Sequence, residues 1–581
     1  MFRALLIATL AFVVAPLWTL AQNAAGEACS RPLASGIVSE PADLRSRNGV
    51  LAVELNVRSQ TLPSGQIRFC YLDGQGNESP TLRLNPGDLL ILHVKNEIAP
   101  GQSREDGART RDQTRSPQRG AEEYPCTQRN DMSAVSTNLH FHGLQIPSAC
   151  HGDDVLRTSI GPGDPPYEYR IRIPLDQPSG LYWYHPHLHG FSKIQVLGGA
   201  SGAIVIEGIE HANHEVVGLP ERVFLIRDQD LMNPTAASHD LGVAAAPAIV
   251  LDRDGDAQNT GTGTGIPAKD LSINFVPVPY PDYPPATIQM RPGERQLWRI
   301  VNASSITYLN LQLLWNSVPQ GVGVVALDGV PLNQNGLGGG DVVRVNHVGM
   351  APGGRAEFIV EAPPTGASAS LITRSVNTGP GGENDPTRII ATIATSRSAP
   401  EPRSSLSNTT SVQIRQDRLP WLGVVKPIRT RRLYFSEKLQ DPKNPNGPTT
   451  FYLTVDGQIP APFDPHSIVP NIVAHQGDVE DWIIENRSQE LHDFHIHQVH
   501  FLMLEWFGVP INEPFLRDTI NVPFWDGKTD QYPTVKLRMD FRGADTVGLF
   551  PYHCHLLEHE DGGMMGLIRI LPFDLKTKHA P

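Results

Sequence analysis

Apolar and polar positions fall into the same order in three stretches of the chain. P-T-L-R-L-N-P-G-D-L-L-I-L-H-V-K-N runs from Pro80 to Asn96, A-T-I-Q-M-R-P-G-E-R-Q-L-W-R-I-V-N ends at Asn302, and N-I-V-A-H-Q-G-D-V-E-D-W-I-I-E-N ends at Asn486. In each, a glycine followed by an acid (Gly87, Gly293, Gly477) opens an apolar run, and an asparagine stands nine residues after the glycine. The pattern predicts a turn entering a half-buried strand. Its threefold recurrence predicts three β-sandwich domains in series.

The first and third copies share more than this turn. Y-H-P-H-L from Tyr184 matches Y-H-C-H-L from Tyr552, and H-F-H-G-L from His140 matches H-I-H-Q-V from His495. Where the third copy has Cys554 the first has Pro186, and the middle copy has neither motif. Imidazoles from the outer domains can then meet across a pseudo-twofold interface, with the middle domain as a spacer. Boundaries are expected near Gly208 to Pro220 and in the Ser/Pro/Arg-rich stretch Ser396 to Ser411, giving domains 45–210, 218–395 and 425–575.

The chemistry is concentrated in short patches. Tyr552 to Met564 reads Y-H-C-H-L-L-E-H-E-D-G-G-M. Successive side chains of a strand point to opposite faces, so Cys554 can serve one metal while His553 and His555 reach another behind it. A thiolate with two imidazoles and a weak axial thioether is the donor set of a blue, electron-transferring copper, and zinc rarely recruits a thioether. Three more patches supply His140 and His142; His185, His187 and His189; and His492, His495 and His497. Counting His500, 12 of the 21 histidines lie in these patches, each H-x-H placing two imidazoles on one strand face. Four such pairs suit adjacent copper ions sharing a pocket.

With these four motifs in this order, the chain resembles the multicopper oxidases, the family of laccases, bilirubin oxidases and bacterial copper oxidases. The resemblance covers nearly the whole mature chain. It implies an all-β protein of three consecutive cupredoxin-like Greek-key β-sandwich domains holding four copper ions. Carried over by position, it makes His492, Cys554, His559 and Met564 the type 1 ligands and gives His140 and His495 to the type 2 copper. His142, His185, His187, His497, His553 and His555 would hold the type 3 pair. The implied reaction couples four one-electron oxidations of a reductant to reduction of O2 to two waters. Asp493 departs from the family pattern, which commonly has proline there; a local adjustment without loss of copper is expected.

In the family an acid in the place of Glu560 is associated with proton delivery. Asp153 and Asp154 are candidates for the same task on the domain 1 side, the competing reading being that all three are solvated loop carboxylates. His189 and His500 are expected to be hydrogen-bonders beside the ligands, and His151 is ambiguous. The nine methionines are dispersed, with no cluster beyond Met564 and Met565. An uncovered type 1 site favours phenols or aromatic amines as reductants. The alternatives are a cuprous or ferrous ion oxidase and a non-catalytic copper-binding exported protein.

Length and composition agree. A chain of 581 residues is too long for one core and suggests about three or four domains. With 52 Gly, 51 Pro and 19% charged residues it suits a turn-rich all-β protein. Residues 1–21, with Arg3, an apolar run from Ala4 to Leu20 and small residues near Ala21, read as a cleaved export signal. The expectation is a periplasmic or extracellular monomer without stable membrane insertion. A net charge of -13 argues against nucleic acid as a partner. With Cys554 assigned to copper, Cys29, Cys70, Cys126 and Cys150 allow two disulfides in any of three pairings. Ser103 to Arg129, rich in charge and glycine, reads as a solvated loop.

Overall fold

In the computed structural model, the residues described are 29–99, 132–234, 261, 263–332, 342–406, 419–441, 443 and 447–573. The expected export signal, the loop at 103–129 and Cys126 lie outside them. Strand accounts for 45% and helix for 5% of the structure.

Six sheets stack as three successive two-sheet sandwiches. The first joins a four-stranded sheet (Ile67–Asp73, Val50–Thr61, Leu89–Glu97, Tyr167–Arg172) to a five-stranded one (Asp43–Arg45, Thr81–Leu84, Gly202–Ile206, Gly180–His185, His140–His142). The second has nine- and six-stranded sheets. The third pairs a seven-stranded sheet with a five-stranded one ordered Ile472–His475, Met565–Leu571, Gly548–Cys554, His492–Ile496, Thr519–Val522. In every sandwich the opening strand (Val50–Thr61, Pro220–Gln229, Arg429–Leu439) lies parallel to the strand after the repeated glycine (Leu89–Glu97, Arg295–Asn302, Val479–Asn486). Parallel neighbours require a crossover, here the passage through the other sheet.

The sequence repeat is that passage. Thr81–Leu84 belongs to one sheet and Leu89–Glu97 to the other, and Gly87 between them has φ +88°, as Gly293 and Gly477 have +69° and +101°. Only glycine adopts such angles without strain. The asparagine that closes each copy ties down the loop beyond it. Asn96 donates to the carbonyls of Val135 and Ile160, Asn302 to those of Thr307 and Met350, and Asn486 to those of Glu490 and Val522. Each also accepts the backbone N–H two residues on. All three are buried, and a buried amide with fully used bonding capacity holds a loop in one conformation.

Each sandwich has its own core, around Leu92, Val94 and Tyr169 in the first, Trp298, Phe358 and Ile288 in the second, and Trp482, Phe494 and Leu537 in the third. The first and second are fused by a further apolar cluster in which Leu181, Trp183 and Val205 meet Leu225 and Val301. Buried charge crosses the same boundary: Glu221 accepts from Arg83 at 2.7 Å and from Arg299 at 2.6 Å. Among the described residues no helix is long and apolar enough to cross a membrane. Cys29 is bonded to Cys70, and Cys150 is also in a disulfide.

Candidate metal centre

Strand register assembles the histidines. His140 sits opposite His185 across one antiparallel pair, and His495 opposite His553 across another. Tyr184 and Tyr552, which precede the two H-x-H pairs, lie over Gly202 and Gly566, where any Cβ would fall 2.2 Å and 2.5 Å from the ring. The two sheets therefore approach the interface in the same way, as the matched motifs suggested. Across it His140 stacks on His497 with ring centroids 3.7 Å apart, and His142 on His495 at 3.9 Å.

Eight imidazoles from the outer sandwiches converge in three sets, two of which share His142. His140, His142 and His495 form one, His142, His185 and His555 another, and His187, His497 and His553 the third, with donor atoms of each set within 4.8 Å of one another. All eight are buried. Burial holds every one of these imidazoles below its ordinary range, so they are neutral and present lone pairs.

The hydrogen bonds show which nitrogen is free. His140 donates through Nδ1 to Asp153 (2.9 Å), His185 through Nδ1 to the Pro186 carbonyl (3.0 Å) and His495 through Nδ1 to the Asp518 carbonyl (2.9 Å). In each the opposite nitrogen, Nε2, is buried with no hydrogen-bond partner. His142 is reversed, with Nε2 against Asp518 and Thr519 and Nδ1 unpartnered. His553 donates through Nδ1 to the Cys554 carbonyl, and its Nε2 faces those of His187 and His497 at 3.3 Å and 3.2 Å. Unprotonated nitrogens crowded together in a buried pocket are costly unless a cation sits among them. One ring nitrogen committed to a carbonyl or carboxylate and the other left bare is the pattern of metal-bound histidine.

A separate set lies on the far side of the same strand. Cys554 Sγ is 3.6 Å from His492 Nδ1 and 3.7 Å from His559 Nδ1, and those two nitrogens are 3.1 Å apart. The Cys554 N–H donates to the Met564 carbonyl, and Met564 is fully buried beside the set. The Asp493 N–H donates to Sγ at 3.4 Å. Outward from the rings, His492 Nε2 meets Glu437 Oε1 at 3.0 Å and Ser488 Oγ at 2.7 Å, and His559 Nε2 meets Glu490 Oε1 at 3.1 Å. Burial pushes both carboxyls up. In Glu437 the bond and charge of His492 prevail and bring it down to about 2, whereas Glu490, beside the Glu437 charge, stays well above the carboxylate range.

The acids singled out from sequence separate cleanly. Asp153 is buried, accepts from His140, the Phe141 N–H and Gln498, and is raised by burial. Its neighbour Asp154 turns away to Arg157 at 3.4 Å and touches none of the histidines. Glu560 is also buried and raised; Oε1 accepts from Ser192, and Oε2 stands 3.2 Å from His553 Nδ1 but without a hydrogen bond, since that proton points to the Cys554 carbonyl. The solvated-loop reading therefore fails for all three. His500 donates to the Asp328 carbonyl at 3.2 Å, and His189 packs edge-on against Phe463. His151 bonds the Glu168 carbonyl, away from the cluster.

Two features were not legible beforehand. The middle sandwich, read as a spacer, supplies Arg355, which is fully buried and held bidentately by Asp518, with one contact of 2.7 Å. Asp518 is the acid that meets His142, and its carbonyl fixes His495. Asp493, expected to need only local adjustment, is fully buried with both carboxylate oxygens unpartnered and is pushed well up by burial.

Known proteins are similar to this chain in sequence and in fold. The multicopper oxidase family profile matches residues 125–211 and, in a second part, 442–574. The multicopper oxidase mco of Staphylococcus haemolyticus is 26% identical over 443 residues, 75% of this chain and 77% of the relative. The chain thus carries two multicopper oxidase domains. Multicopper oxidases of solved structure share the fold. That of Aquifex aeolicus, McoA, superposes with a TM-score of 0.62 at 18% identity, covering 93% of this chain and all of that one. The enzyme from Campylobacter jejuni, described as a metallo-oxidase, gives 0.60 at 22% over 93% and 96%. The three sandwiches are thus cupredoxin-like, and the multicopper oxidase domains imply copper ions, with which the histidine sets are compatible.

Proposed function

We propose that this multicopper oxidase takes electrons singly from phenols or aromatic amines at a type 1 copper and uses four of them to reduce O2 to two waters at a three-copper cluster. His492, Cys554, His559 and Met564 would hold the first copper, His140 and His495 the type 2 ion, and His142, His185, His555 and His187, His497, His553 the type 3 pair. Copper supplies the one-electron redox couple and, in the cluster, the site where O2 is reduced.

One observation carries the reading. Cys554 belongs to the thiolate set, while its chain neighbours His553 and His555 belong to two different histidine sets. The backbone of three residues therefore links the sulfur to both histidine sets. Around this link the protein's own groups fix ring orientations and hold protons: Asp153 on His140, Asp518 on His142, and Glu560 beside His187 and His553. Two waters require four protons, and Glu560 and Asp153, kept protonatable by burial, stand at the cluster on opposite sides of the domain interface.

Organic donors are favoured by the apolar flank of the thiolate set. The Phe451 ring stacks on His559 at 4.3 Å, and Pro462 and Phe463 lie against Gly563, next to Met564. A second reading, oxidation of cuprous or ferrous ions, is favoured by the acidic side chains of Glu437 and Glu490 at the outer nitrogens of His492 and His559. A panel of phenols, aromatic amines, ferrous and cuprous ions under air, with O2 uptake recorded, separates the two. Four electrons per O2 with organic donors is expected; turnover of metal ions alone would replace the first reading with the second.

A further inference from the structure

The two imidazoles of the thiolate set differ from the other eight in what holds their outer nitrogens. Of the cluster histidines with a hydrogen-bonded remote nitrogen, three use a backbone carbonyl, and none meets a carboxylate with access to solvent. His492 and His559 instead end on two glutamates. Glu437 comes from the strand Arg429–Leu439 and Glu490 from the segment just before His492–Ile496, so two separate parts of the sandwich supply them. The Glu437 side chain retains 25% exposure and that of Glu490 only 6%. The two carboxyls stand close enough to influence each other.

The proton positions follow from the neighbours. Ser488 Oγ has a single hydrogen and lies 2.7 Å from Asn486 Oδ1, an acceptor. Toward His492 it therefore acts as acceptor, and Nε2–H is shared between Ser488 and Glu437. His559 Nε2 likewise points at a carboxyl oxygen of Glu490. Both rings are thus fixed as the tautomer that turns Nδ1 toward Cys554. A carboxylate accepting the remote N–H makes the ring a stronger donor, and a stronger donor favours the oxidised, more highly charged ion over the reduced one.

We propose that Glu437, backed by Glu490, is a positioning residue that lowers the reduction potential of the type 1 copper through His492. The inference rests on the reading of His492, Cys554 and His559 as the type 1 set. It predicts an oxidase that gives up driving force at the donor side for an easier electron transfer onward to the cluster.

The test is a potentiometric titration of the blue band in the copper-loaded protein at one fixed pH, for wild type, Glu437→Gln, Glu437→Asp and Glu558→Gln. Glu558 is a nearby acid paired with Lys193 at 2.9 Å, so its loss changes net charge equally while Glu437 stays on His492. Glu437→Gln should keep the blue band and shift the reduction equilibrium about tenfold toward the reduced ion, about 59 mV for one electron. Glu437→Asp should lie nearer wild type, and Glu558→Gln should move much less. A wild-type midpoint in Glu437→Gln, or an equal shift in Glu558→Gln, overturns the inference. Should Glu437→Gln not fold, Ser488→Ala, which leaves Glu437 the sole acceptor of the His492 N–H, should lower the midpoint; an unchanged value there also overturns it. A wild-type protein with no blue band would refute the type 1 reading instead, so the two failures are distinguishable.

Discussion

Arg355 is where the middle domain acts on the histidine cluster, and removing its side chain tests whether that domain is more than a spacer. All five guanidinium donors are used: Nε on the Leu181 carbonyl at 3.4 Å, Nη1 on the Gly353 carbonyl and Asp518, and Nη2 on the Asp328 carbonyl and Asp518. These partners come from all three sandwiches. Arg355→Ala would strand the fully buried Asp518 carboxylate and leave three carbonyls short of a donor. Breaking one side of a buried ion pair costs about 3–5 kcal/mol, the greater part being the uncompensated charge. At roughly 2–4 °C per kcal/mol for a domain of this size, Tm should fall on the order of 10 °C.

The functional effect should be selective. Burial pushes the Asp518 carboxyl up and Arg355 more than offsets it, leaving it below the ordinary carboxylate range. Without the arginine it would rise and take up a proton, weakening its hold on His142 and the loop that fixes His495. Copper at the His140, His142 and His495 set should be lost first, while the blue band of Cys554 persists. Calorimetry reports the stability, and electron paramagnetic resonance with copper analysis reports the two sites separately. Asp518→Asn combined with Arg355→Ala should cost less than the two single changes summed, because the stranded charge is gone. An Arg355→Ala protein with unchanged Tm and full copper content would refute the argument. So would loss of the blue band before the other copper.

Cys554→Ser should abolish the blue colour and leave the histidine sets able to load copper, as absorption and metal analysis would show; a blue variant would sink the ligand assignment. Glu560→Gln should keep the blue band and its reduction rate but slow reoxidation by O2 in stopped flow, and wild-type reoxidation would leave Glu560 without a proton role. Asp493→Asn replaces a carboxyl whose folded pKa is raised, and such a group stabilises fully only below its unfolded value and loses that contribution as pH rises through the folded one. The Tm advantage of the copper-free Asn variant over wild type should therefore widen with pH; a difference independent of pH would count against a buried Asp493. Chelating the copper should lower Tm, because an ion bound only by the folded state stabilises it, and equal Tm values with and without metal would mean the sets bind none.

The three-domain order and the histidine sets were legible because they depend on short-range rules. Side-chain alternation in a strand puts two imidazoles of H-x-H on one face, and a Gly-acid pair marks a turn, so spacing alone carries the information. The residues that orient the ligands obey no such spacing. Arg355 reaches the cluster from the middle sandwich, Asp518 crosses from the third sandwich to His142 of the first, and Glu437 lies 55 residues before the ring it meets. Glu490, two residues ahead of His492, was within sight, but an acid beside a ligand motif has many possible orientations and only the loop tied by Asn486 turns it toward His559. Asp154 shows the converse. It is as close in sequence to the cluster as Asp153, yet the turn that brings the Asp153 N–H to the Pro147 carbonyl aims the first carboxylate at His140 and the second at Arg157. The candidate donor set is thus written along the strand, whereas the contacts that orient it are tertiary. Relatives at 26% identity can therefore be expected to share the former and differ in the latter, which is where a choice between organic and metal-ion donors would be made.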